Sequence, residues 1–180
     1  MVLNKVVRSL GVMLAFLPLF SPLYGSDRMT LKSFASQKGE CEIGFPEAPN
    51  FMEQSLQLPE DRGTLRYEVY LSPFENKGVF MLLIATYPAS LDQENSVAGL
   101  EGLVRGIVHH HPDNRLVFAK MMEFSKHPSL TFLVQSPNNY FRGQAVMVDN
   151  KLYLIAMEGK KDTLDEKVFT RFIQTFRLVD

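Results

Sequence analysis

Residues Val79 to Tyr87 read Val-Phe-Met-Leu-Leu-Ile-Ala-Thr-Tyr, a run without a charge whose odd and even positions are equally apolar. A strand of this kind has no side to give to water. It belongs in the interior of a sheet that is covered on both faces. The run is also far short of the ~20 residues a membrane-spanning helix needs. Asn76-Lys77-Gly78 turns the chain into it, and other strands must flank it.

Those strands are marked by period-2 alternation. Glu40 to Phe45 sends Cys41, Ile43 and Phe45 inward and ends at Pro46. Gln54 to Leu58 is a short strand closed by Pro59, followed by a turn at Asp61-Arg62-Gly63. Thr64 to Ser72 puts Leu65, Tyr67, Val69 and Leu71 on one face, with Arg66 and Glu68 on the other. Four later strands are expected at about Arg115–Phe124, Ser129–Gln135, Tyr140–Val148 and Lys151–Glu158. Asp149-Asn150 joins the last two as a tight hairpin.

Two segments carry the helical period instead. Val97, Leu100, Leu103, Val104, Ile107 and Val108 make one apolar stripe, with Asp92 or Asn95 as the cap. Gly99, Gly102 and Gly106 lie inside it and imply close approach to the sheet. Near the end, Val168, Phe169, Phe172, Ile173 and Phe176 form a second stripe, with Thr163 and Glu166 spaced as a capping box. The element order is β-β-β-β-α-β-β-β-β-α. Hairpins imply antiparallel pairing, so the expected fold is α+β, an antiparallel β-sheet covered by two helices.

The first 25 residues read as an address. Lys5 and Arg8 precede an uncharged run from Leu10 to Phe20, which Pro18 interrupts, and Ser21, Pro22, Gly25 and Ser26 follow. A basic start, a short apolar stretch and a small-residue exit describe a secretory signal peptide. The expected organisation is a signal peptide over 1–25, a lead-in over 26–39 and a single domain over 40–180. Cleavage leaves about 155 residues and shifts the net charge from −1 to about −3, enough chain for a stable core without disulfides. The near-neutral charge of the whole chain leaves no electrostatic footprint for nucleic acid. The one cysteine, Cys41, alternates with Ile43 and Phe45 and is expected inside as a small hydrophobe.

Phe45-Pro46, the strand Leu65–Leu71, the run Leu152-Tyr153-Leu154-Ile155, and the closing Phe169-x-x-Phe172-Ile173-x-x-Phe176-Arg177-Leu178 together resemble the PsbP-like superfamily, over about residues 40 to 178. The resemblance implies a small exported α+β domain with a scaffolding or binding role rather than one reaction. It carries over no site residue.

A search for chemistry is mostly negative. The chain has no Gly-x-Ser-x-Gly elbow, no phosphate-binding Gly-x-x-x-x-Gly-Lys loop and no His-Glu-x-x-His pair. Its unusual feature is His109-His110-His111-Pro112-Asp113. In an extended chain His109 and His111 point the same way and Asp113 can join them, a ligand set suited to zinc, copper or nickel. In a helix, adjacent side chains diverge by about 100° and cannot close on one ion. The preferred reading is a helix end, with histidines facing the negative pole of the dipole and Pro112 stopping the helix. His127, beside Pro128, is expected exposed in a turn. Tyr140-Phe141-Arg142 can present an aromatic and a cation to a ligand, but reads better as a strand start with Arg142 outward. Met121 and Met122 are expected on opposite faces of a strand, in ordinary core and surface packing.

The expected function is that of an exported, non-catalytic accessory or binding protein, periplasmic or extracellular. It needs no cofactor, and its partner is an envelope or secreted protein. The alternative is a small-ligand or metal-binding protein using His109, His111 and Asp113.

Overall fold

The computed structural model describes residues 29–58, 62–75, 77–88 and 96–179. The signal-peptide reading over 1–25 and the caps expected at Asp92 and Asn95 lie outside them. The elements run β1 (Lys32–Ser36), β2 (Cys41–Phe45), β3 (Asn50–Gln57), β4 (Thr64–Phe74), β5 (Gly78–Thr86), α1 (Ser96–His109), β6 (Arg115–Phe124), β7 (His127–Gln135), β8 (Asn139–Val148) and β9 (Lys151–Lys160). A 3-10 turn (Lys161–Thr163), α2 (Glu166–Ile173) and β10 (Arg177–Leu178) follow.

Seven strands form one antiparallel sheet in the order β3-β4-β5-β9-β8-β7-β6. The all-apolar strand β5 is interior and covered on both faces, as its composition demands. Met81, Leu83 and Ala85 join Leu100, Leu103 and Val104 of α1 on one side. Phe80, Leu82 and Ile84 meet Phe169, Phe172 and Phe176 on the other. Each face of the sheet therefore has its own core, with successive residues of one strand serving opposite sides.

The expected element order needs correction, because the molecule is dominated by strands. Five strands precede α1, and β1, β2 and β10 form a second antiparallel sheet in the order β1-β2-β10. This small sheet shares one face of the large sheet with α2, while α1 covers the other face. Lys32–Ser36 lies in the stretch read as a lead-in. Its residues are mostly exposed, so it pairs by backbone and shows little hydrophobic pattern. β10 has two residues, too few for any period to register.

The β1–β2 turn is clamped to the large sheet. Gly39 donates its N–H to Ser36 Oγ at 3.0 Å, and its carbonyl accepts from the buried Tyr153 hydroxyl at 2.7 Å. A side chain at Gly39 would run into Ile84 Cδ1, so only glycine lets the turn sit this low. At Gly99 the expected close approach is not found, since an added Cβ would meet Met147 at an ordinary 3.4 Å. Val97, expected in the α1 stripe, is exposed.

Local chemistry at α2 also differs from expectation. Asp165 is the N-cap, accepting from the N–H groups of Lys167 (2.8 Å) and Val168 (3.3 Å). Thr163 lies within the preceding 3-10 turn, where its hydroxyl is 2.7 Å from the carbonyls of both Lys77 and Lys160. The turn moves the cap two residues past the expected Thr163. His127 is the first residue of β7 and half-buried, because Ser125 and Lys126, both at positive φ, make the turn themselves. The Asp149-Asn150 hairpin forms as expected, and Asn150 also ties down Tyr87 through a pair of backbone and side-chain bonds (2.8 and 2.9 Å).

Candidate functional site

β6 ends the large sheet, pairing with β7 and leaving its outer backbone row without a strand among the described residues. Its sequence is Arg-Leu-Val-Phe-Ala-Lys-Met-Met-Glu-Phe, with six large apolar residues at an edge position. α1 packs chiefly over β7 and β8, and α2 chiefly against β2 and β9. Leu116 (46%), Val117 (52%), Phe118 (37%), Met121 (38%) and Met122 (46%) consequently stand open to solvent. The two methionines do face opposite ways, as expected, but neither enters a core.

The register sorts these groups. A bulge at Val117 separates Leu116, opposite Val134, from Phe118, opposite Leu133. Beyond it, Ala119 and Met121 lie on the α1 side, opposite Phe132 and Leu130. Phe118, Lys120 and Met122 lie on the α2 side, opposite Leu133, Thr131 and Ser129. The bulge and Lys120 are features that keep free edges from pairing at random.

On that α2 side the structure overturns the outward placement of Arg142. β8 lies between β9 and β7, so its even-numbered residues point under α2, not into water. The Arg142 side chain is only 10% exposed. Its Nε donates to both carboxylate oxygens of Glu166 (3.0 and 3.2 Å), in the first turn of α2. Its Nη1 donates to Thr131 Oγ1 (2.7 Å) and to the carbonyls of Phe132 (3.0 Å) and Gly143 (3.1 Å). The guanidinium lies 4.2 Å from the Phe169 ring and 4.9 Å from that of Phe118, bridging α2 to β6. No described residue accepts from Nη2. Next to it, Gln144 Nε2 donates to Ser129 Oγ at 3.0 Å. Arg142, Gln144, Ser129 and Thr131 thus make a buried polar track beside the edge strand. Polar residues at every second position of an interior strand have to be satisfied inside, but the interior position of β8 is known only from the sheet order.

The histidine tract is arranged as a helix end. His109 closes α1, with Nδ1 2.7 Å from the Arg105 carbonyl, and Asn114 Nδ2 donates to the Ile107 carbonyl at 3.0 Å. His111 and Asp113 are brought together, 3.7 Å apart, while His109 is turned back along its helix. Among the described residues no three histidine, cysteine or acidic side chains gather in a way that could hold a metal ion. Cys41 is buried, and burial, helped by the Glu68 charge, pushes its thiol up to about 12, far from a reactive thiolate. A groove of about 610 Å³ runs between the β4–β5 connection and the start of α2. Its Thr163 hydroxyl already bonds backbone. No described helix is long and apolar enough to cross a membrane.

No protein-family model matches the chain, and no curated protein is significantly similar to it. Solved structures do match. One is the solution structure of cyanobacterial PsbP (CyanoP) from Synechocystis sp. PCC 6803, with a TM-score of 0.55 and 12% identity over 88% of this chain and 98% of that one. Another is PA94 from Pseudomonas aeruginosa, a protein of unknown function, with a TM-score of 0.46 and 8% identity over 81% of this chain and 94% of that one. At 12% identity the likeness to CyanoP is one of architecture, and the chain has a PsbP-like fold.

Proposed function

We propose that this chain is an exported, non-catalytic accessory protein of the cell envelope, which acts by offering the β6 edge to an extended segment of a partner protein. The observation that carries the reading is the exposure of five large apolar residues on a ten-residue edge strand whose outer backbone row is free among the described residues. Strand addition supplies affinity through main-chain hydrogen bonds and specificity through alternate side chains. The apolar residues on both sides of β6 provide ground for the latter. Export rests on the composition of residues 1–25.

Photo-crosslinking in the producing cell tests both parts. A photoreactive residue at Val117 or Met122 is expected to give one discrete adduct with an envelope protein, and one at Arg171, on the outer side of α2, none. The adducted chain should have lost its first ~25 residues. Equal labelling from all three positions overturns the β6 surface, and adducts of the uncleaved chain in the cytosol overturn export.

A further inference from the structure

The β6 surface has a charge pattern that specifies its partner further. Arg142 is locked by Glu166, Thr131 and two backbone carbonyls and held between two rings, yet Nη2 has no acceptor among the described residues. Among those residues Glu158 Oε2 is the one fully sealed side-chain polar atom without a partner, and Nη2 is not such an atom. Its neighbour Thr131, to which Nη1 donates, is the cross-strand partner of Lys120. Lys120 is exposed and ion-paired with no described residue. Two cationic donors therefore face the same side of the edge. Glu166 balances the single charge of Arg142, so the excess positive charge on this side is that of Lys120.

We propose that Arg142 and Lys120 form a carboxylate-reading site, so that the segment taken by β6 carries an aspartate or glutamate on its α2-facing side. This rests on the β6 reading above. A guanidinium fixed in advance loses little freedom on binding, and its Nη2 can give a carboxylate one charge-assisted hydrogen bond beside the Lys120 ammonium. The exposed Phe118 and Met122 flank Lys120 in the same row and favour apolar residues on either side of the acid.

The probe is a blocked pentapeptide of alternating threonine and valine with a central glutamate, and its glutamine twin, titrated into the full ¹⁵N-labelled chain. The glutamate peptide is expected to shift the β6 amides and the Arg142 side-chain signals, and the twin to bind at least about tenfold more weakly. Lys120→Gln, an exposed change that should not disturb folding, should narrow that ratio, and Arg142→Lys should as well. Equal binding of the twins along β6 overturns the carboxylate site and leaves strand addition standing. No shift of β6 by either peptide overturns both readings.

Discussion

Glu158 is the residue least at ease in this fold. Its carboxylate Oε2 is sealed off without a hydrogen bond while the rest of the side chain is half-buried. Burial pushes its acid up from an ordinary 4.5 to about 7. The folded chain thus holds this proton more tightly than the unfolded chain does. The linked stability is fully present below about pH 4.5 and is lost as pH rises through about 7. Glu158→Gln keeps the shape and removes the titration. Denaturant unfolding should show the variant gaining on the parent between pH 5 and pH 8, by up to about 3 kcal/mol. A constant difference across that range would mean the carboxylate finds a partner or water. Nothing in the sequence marks this residue, since one acid near the end of a strand looks like any exposed strand end. Arg142 is the opposite case. Its burial was implicit in the interior position of β8, but the Tyr-Phe-Arg triplet alone gives an outward reading, because sheet order is not written in a local pattern.

Among the elements, α2 depends most on its ends. Eight residues do not hold a helix in isolation. Asp165 satisfies two of its free N–H groups, and Phe169 and Phe172 anchor it to the sheet. Asp165→Ala should cost about 1 kcal/mol and lower Tm by about 2–4 °C. Thr163→Ala should cost less helix signal by circular dichroism, because its hydroxyl serves the 3-10 turn and the Lys77 carbonyl. The reverse ranking would restore the Thr163–Glu166 capping box. The elements with strong periods, β4, β5, β6, α1 and α2, were legible in the sequence to within a few residues. β1, β10 and the first half of β3 were not. They are edge or very short strands held by backbone pairing, which leaves no apolar alternation to find.

For the whole molecule, the two cores share one sheet. β5 sends Phe80, Leu82 and Ile84 to the α2 side and Met81, Leu83 and Ala85 to the α1 side, and β9 divides in the same way. Neither core can loosen without disturbing strands that the other needs, so unfolding should be a single transition. Phe172 tests this, being fully buried and edge-on to Phe80 at a ring separation of 4.6 Å. Phe172→Ala should cost about 3–5 kcal/mol through lost burial and an unfilled cavity. The informative measurement is where that cost is felt. Hydrogen exchange followed at Leu103, in the opposite core, and at Phe169 should show both amides losing protection by the same free energy, since each opens only when the shared sheet does. β6, paired with one strand at the end of the large sheet, should exchange faster in the parent and change little in the variant. Loss of protection confined to Phe169 would instead make α2 and the small sheet a separately opening lid on a sheet-and-α1 body, and the arginine that bridges α2 to β6 would then join two units rather than brace one.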